Sequence, residues 1–293
     1  MKKILVIGGT RLMGKHLVRE LLNRGFDVTI ATRGLAYDDF GNRVRRICID
    51  RTIEKSLIEG LSHEWFDVVF DQLACCSNDV RMLLDHLHCG KYVMVSSTAV
   101  YDLHDDMCEE DFDPQVYPLV WCDRGRVSYG EAKRQAECAL FQCYSDVLSV
   151  AVRFPFVIGA DDYTERLFFY VDYQVHQKSM YVDNDDRQLA FVRSDEAGQF
   201  LSSFAQNDFY GPVNGAAVGT MSIRDVFSYV ERRSGLFPVL SEVGDVAPYN
   251  GVPQCSVNTD KAREIGFDFS FLKPWVYKLI DGYLVRAMWR PLC

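Results

Sequence analysis

The chain has no run of about 18 apolar residues, so the sequence offers no helix able to span a membrane. It has no excess of positive charge. Its 32 Lys and Arg stand against 41 Asp and Glu, and the formal net charge of −9 disfavours nonspecific binding to a phosphate backbone. It also lacks Cys-x-x-Cys, any internal repeat and any low-complexity tract. Its 10 cysteines therefore read as reduced, mostly buried small apolar residues, with neither a disulfide framework nor a metal site. The spacing of His86-Leu87-His88 does not put both rings on one helical face, which removes the nearest metal-binding alternative. No export signal is expected either. Met1-Lys2-Lys3 followed by Ile4-Leu5-Val6-Ile7 imitates the start of one, but Gly8-Gly9 ends the apolar run too early. The expected compartment is cytoplasmic.

The pattern that is present alternates. The β-branched run at residues 4–7 predicts a strand buried on both faces, and helical periodicity follows over residues 13–23. Further strands are expected at 28–31, 44–49, 67–70, 92–95 and 148–153. Helices are expected at 53–61, 78–87 and 129–144. Strands alternating with helices imply right-handed crossovers and an α/β, doubly wound parallel sheet. Beyond Arg153-Phe154-Pro155 the pattern loosens. Helices are expected at 163–176, 194–205, 223–233 (capped by Ser222) and 271–289, with an extended segment at 189–192. Seven acidic residues between Asp102 and Asp113 read as a solvated loop.

Three features carry chemistry. Gly8-Gly9-Thr10-Arg11-Leu12-Met13-Gly14 joins the first strand to the first helix, where backbone N–H groups and a helix N-terminus can meet a pyrophosphate. The spacing is not Gly-x-Gly-x-x-Gly. Arg11 stands where a related Gly-x-x-Gly-x-x-Gly pattern has its middle glycine. Second, no acid lies between Val28 and Tyr37 to take a ribose 2′-hydroxyl, whereas Arg33 can meet a 2′-phosphate with help from Arg11. This favours NADP(H) over NAD(H); the alternative is that both arginines are surface residues. At the third strand end, Asp50 with Arg51 is placed either to reach an adenine edge or to form a solvent-facing turn. Third, Tyr129 and Lys133 stand four apart at a helix start, on one face, where a cation lowers a phenol's pKa. The alternative is an exposed helical pair.

Taken together, these residues resemble the extended short-chain dehydrogenase/reductase family, also described as the NAD-dependent epimerase/dehydratase family. Val95-Ser96-Ser97-Thr98-Ala99-Val100-Tyr101, Tyr129-Gly130-Glu131-Ala132-Lys133 and Arg153-Phe154-Pro155-Phe156-Val157-Ile158-Gly159 add to the likeness, as do Phe191–Ala197 and Asn258–Ala262. The resemblance implies a Rossmann domain over residues 1–158. It implies a smaller, mainly substrate-binding lobe over 159–293, with segments near 189–215 returning to the core. It also implies a catalytic set in which Ser97 bonds the reacting substrate oxygen and Tyr129 exchanges its proton. Lys133 would hold the nicotinamide ribose and lower the tyrosine pKa. Alternation along the strand puts the competing hydroxyls of Ser96 and Thr98 on the opposite face.

Thr98-Ala99 replaces the Asp-Glu pair that family dehydratases use to eliminate water, which disfavours that reaction. Arg166 resembles a family arginine that can meet a substrate phosphate; a purely structural salt bridge with Glu165 beside it is the equal alternative. The expected function is an epimerase or reductase acting on a small-molecule substrate such as a nucleotide sugar, in a possible homodimer. The Gly-Gly-Thr-Arg loop and the Thr-Arg-Gly after the second strand also resemble the atypical branch that includes chloroplast stem-loop RNA-binding proteins. An RNA-binding module on the same fold is therefore one alternative, opposed by the acidic charge. A non-catalytic NADP(H)-sensing regulator is another.

Overall fold

The computed structural model describes residues 1–289. The alternating first half folds as β1 (Lys3–Ile7), α1 (Leu12–Asn23), β2 (Asp27–Thr32), β3 (Arg45–Cys48), α2 (Glu54–Leu61), β4 (Trp65–Asp71), α3 (Ser77–Leu84), β5 (His88–Ser97), α4 (Tyr129–Cys143) and β6 (Leu148–Phe154). The rest supplies β7 (Phe156–Ile158), α5 (Arg166–Val175), β8 (Ser179–Tyr181), β9 (Phe191–Arg193), α6 (Ser194–Ser203), β10 (Gly211–Asn214), α7 (Ile223–Ser234), β11 (Val239–Leu240), β12 (Asp245–Val246), α8 (Asp260–Glu264) and α9 (Leu272–Trp289).

A parallel sheet in the order β3-β2-β1-β4-β5-β6-β10 forms the centre. The order of connection reverses between β1 and β4, and in such sheets that switch point opens a crevice at the carboxyl ends of the strands. β1 shows why the sheet is buried on both sides. Ile4 and Val6 pack into one core with Leu17 and Leu21 of α1, while Leu5 and Ile7 pack into another with Leu57 of α2 and Leu83 of α3. A third core, with Leu167, Val171, Phe227 and Val276, joins α5, α7 and α9 into the second lobe. β10 leaves that half of the chain and pairs with β6. Ser222 caps α7 reciprocally with Asp225, each side chain accepting the other's backbone N–H.

Four local expectations change. β5 begins at His88, four residues earlier than the apolar run, because Lys91 is rescued by tertiary partners: its Nζ donates to the carbonyl (2.7 Å) and side-chain oxygen (3.1 Å) of Asn207. Burial lowers this ammonium to about 8. α3 stops at Leu84, leaving His88 in the sheet. The acidic segment is not wholly solvated. Glu109 is buried and accepts the backbone N–H of Asn214 (2.6 Å), and burial holds its carboxyl above the usual range. The Glu165–Arg166 pair does not form. Glu165 pairs with Arg286, while Arg166 donates to Thr164 (3.1 Å) and lies over the Phe156 ring (5.2 Å).

Candidate active site

A cavity of about 510 Å³ opens at the β1/β4 switch point. Gly8 to Met13 form its floor. Ala31 to Arg33 at the end of β2 and Ile49 to Thr52 after β3 form one wall, and Gln72 and Leu73 after β4 form the other. Gly9 has φ +92°, and a side chain there would meet Val18 and Val6 at 3.0 and 3.1 Å, so the turn needs glycine. Arg11 does not need to be glycine. Its φ is −137°, ordinary extended backbone, and the left-handed conformation falls instead on Leu12 (φ 45°). No side chain caps α1, so its first N–H groups remain available to an anion. Gly14 lies behind the floor, pressed against the Gln72 carboxamide, whose nitrogen finds no hydrogen-bond partner among the described residues.

The charged side chains of the cavity walls are mostly cationic. Arg33 is exposed and forms no ion pair with any described residue. Arg11 leans over the ring of Tyr163, 5.0 Å away, and so reaches across to the second lobe. Arg124 borders the same space. Asp50 is the cavity's one carboxylate. Hydrogen bonds from the Thr52 hydroxyl (2.6 Å) and N–H (2.9 Å) hold it below the ordinary carboxylate range, with Arg33 and Arg124 adding to the effect. Arg51 borders the cavity, but its guanidinium turns inward. It pairs with buried Asp71 and with Asp79 (3.3 Å), and Asp71 also accepts the Tyr92 hydroxyl (2.8 Å). Burial alone would raise the Asp71 carboxyl, but Arg51 and these hydrogen bonds outweigh it and hold it low. Arg51 is therefore neutralised behind the wall, while Arg11 and Arg33, which pair with no carboxylate among the described residues, stay open at the cavity. That donor set, with the uncapped helix, fits the phosphates of a dinucleotide.

Ser97, Tyr129 and Lys133 do not line this cavity. They adjoin it through residues 72–74, because Lys133 Nζ donates to the carbonyls of Ala74 (2.6 Å) and Val95 (2.8 Å). Those bonds tie the loop after β4 to β5 and leave one ammonium hydrogen. Lys133 is only 5% exposed, and its Nζ is 5.9 Å from the centre of the Tyr129 ring; Tyr129, in the first turn of α4, is 57% exposed. Ser97 ends β5, and its hydroxyl accepts the N–H of Ala99 (3.2 Å) in the tight turn at Thr98–Val100. The neighbouring hydroxyls turn elsewhere: Ser96 donates to buried Glu137, and Thr98 is buried.

Gly130 brings the serine and tyrosine segments together. A Cβ on Gly130 would overlap the carbonyl oxygen of Ala99, so α4 begins directly against the turn that follows Ser97. Backbone cannot yield there as a flexible side chain can. Gly130→Ala is expected to cost roughly 1–3 kcal/mol and to lower turnover further by separating Ser97 from Tyr129. Thermal unfolding and a rate assay check this; unchanged values in both would refute the tight apposition. Gln72, Leu73, Thr52, Arg124 and Tyr163 escaped the sequence reading. They come from four different loops, and Asp123-Arg124-Gly125-Arg126 in particular looks like any surface turn.

Residues 4–83 match the family model described as the NAD dependent epimerase/dehydratase family. A chloroplast stem-loop binding protein of 41 kDa from Arabidopsis thaliana is 34% identical over 131 residues, 39% of this chain. The match spans about a third (35%) of that protein's length. Among solved structures, a UDP-glucose 4-epimerase with UDP-glucose from Thermotoga maritima superposes with a TM-score of 0.76 at 16% identity, covering 98% of this chain and 99% of its own. A UDP-glucuronic acid 4-epimerase from Bacillus cereus, in complex with UDP-glucuronic acid and NAD, gives 0.73 at 17%, covering 97% and 99%. The family model thus matches residues 4–83, and the fold shared with these solved structures extends over nearly the whole chain. Among the described residues no helix is long and apolar enough to cross a membrane.

Proposed function

We propose that this chain is an NAD(P)-dependent epimerase or reductase of the short-chain dehydrogenase/reductase type, acting on a hydroxyl or carbonyl of a nucleotide-sugar-like substrate. The observation that carries this reading is the packing of the Ser97 turn against the start of the Tyr129 helix, with Lys133 fixed beneath and the cationic cavity alongside. The bound nicotinamide would supply hydride exchange. Ser97 orients the reacting oxygen by a hydrogen bond, and Tyr129 gives or takes its proton. The remaining hydrogen of Lys133 is available to a ribose hydroxyl.

Arg33, with Arg11 nearby and no acid at the end of β2, supports a preference for NADP(H). NADPH is expected to bind more tightly than NADH, and Arg33→Ala should remove most of that difference. A charge-assisted contact of about 1.5–3 kcal/mol corresponds to roughly 10–100-fold. Paired dissociation constants decide it, and a tighter NADH complex in the parent protein would end the preference. A panel of nucleotide sugars, read by cofactor absorbance and by product analysis, tests the activity itself.

A second reading is favoured by the 131-residue likeness to the chloroplast stem-loop binding protein: an RNA-binding module on the same fold. The net charge of −9 opposes it. Filter binding across a salt series separates the two, since RNA held through phosphates weakens steeply with salt.

A further inference from the structure

The segment leading into α4 is zipped onto the start of α3. Ser77 Oγ donates to the carbonyl of Val120 (2.9 Å) and accepts the N–H of Cys122 (2.8 Å), while the Asn78 side chain donates to Asp123 (2.7 Å). This strap reaches the dinucleotide cavity at Arg124, and Tyr129 follows five positions later. Arg124 Nε donates to Asp79 (3.0 Å) and its Nη2 to the carbonyl of Leu73 (2.7 Å). Asp79 is itself anchored by Arg51 (3.3 Å) and by the N–H of Cys75 (2.8 Å).

Both Arg124 bonds use one edge of the guanidinium. That edge is one of the two forks by which a guanidinium grips a phosphate in two-point fashion, and it is already occupied. The side chain is nevertheless 41% exposed, so what it can still offer a ligand is its flat face together with the Nη1 end of the guanidinium. A guanidinium held in plane by a carboxylate and a carbonyl is a preorganised stacking surface for an aromatic ring. Asp50 and Leu73 border the same part of the cavity.

We propose that Arg124 stacks on the purine of the bound dinucleotide, so that the adenosine half of the cofactor orders the strap that carries the start of the Tyr129 helix. The inference rests on the dinucleotide reading above and adds to it a residue and a coupling. It separates two roles: Arg33, whose fork is open, discriminates the 2′-phosphate, whereas Arg124 holds the base common to both cofactors.

The test measures dissociation constants of NADH, NADPH and ADP-ribose for the parent protein, Arg124→Ala and Arg124→Lys, with hydrogen exchange over residues 120–128 with and without ADP-ribose. Asp79 keeps Arg51 in both variants, and lysine keeps a cation beside it, so thermal midpoints should confirm folding. Arg124→Ala should weaken all three ligands by about tenfold without changing the NADPH-to-NADH ratio, and lysine, lacking the flat face, should not restore them. ADP-ribose should slow exchange in the strap of the parent protein and not in the alanine variant. Unchanged affinities, a loss confined to NADPH, or a strap indifferent to ADP-ribose would each overturn this inference alone. A parent protein that binds none of the three ligands would overturn the dinucleotide reading with it.

Discussion

Tyr129→Phe should lower turnover by roughly 10²–10⁴-fold, the range in which a positioned general acid or base contributes, and should leave dinucleotide binding intact. The fold gives this variant little reason to fail structurally. The ring is more than half exposed, and α4 keeps its Ser128 cap, which accepts the N–H of Glu131 (3.3 Å). Lys133 keeps its bonds to Ala74 and Val95, neither of which involves the phenol. The change therefore removes one hydroxyl from a site whose other groups stay in place. The assay is turnover of whichever nucleotide sugar the parent protein accepts, alongside cofactor titration. Full activity in the variant would mean that the proton moves through another group.

The largest loss of stability is expected from Glu137→Ala. Glu137 and Arg153 are both 0% exposed, and their closest approach is 2.6 Å. Arg153 also donates to the Tyr101 hydroxyl (2.9 Å) and to the carbonyls of Glu109 (2.9 Å) and Phe112 (3.0 Å). Burial alone would lower the guanidinium's pKa, but Glu137 overcomes this and raises it, so Arg153 stays charged. Removing the carboxylate strands that charge inside the protein, at a cost of about 3–5 kcal/mol. The damage should also reach the site. Ser96 loses its acceptor, and the segment 101–112, which Arg153 pins beside β10, loosens next to the Ser97 turn. Replacing Glu137 and Arg153 together with apolar residues of similar volume should recover much of the loss, because no charge is then left unpaired. Denaturant midpoints for the single and double variants measure this. A loss below about 1 kcal/mol in the single variant would show that water or another group already serves Arg153.

Particular residues show how far the sequence could be read. The run at Ile4–Ile7 is apolar at every position, and only a strand covered on both faces has a use for that, so β1 and the parallel sheet followed directly. Gly9 was legible because its turn tolerates no side chain. Arg11 departs from the related glycine pattern in the same loop, and a motif records residue types and not dihedral angles. The structure gives Arg11 an ordinary φ and moves the unusual one to Leu12. Glu109 was read with its acidic neighbours as solvated, because charge density says nothing about a backbone N–H arriving from Asn214, 105 positions away.

Periodicity and glycine placement are local properties, so the chain order alone was enough to assign the layered α/β architecture and to single out the glycine-rich loop that lines the cavity. Which arginine is open and which is spent is a question of long-range pairing. Arg33, Arg51 and Arg124 look alike in the sequence. They differ because Asp71 and Asp79 reach one guanidinium at both of its Nη nitrogens, another along a single edge and the third not at all. Such electrostatic contacts fall off over a few ångströms, and only folding brings residues from β3, β4, α3 and the strap within that range.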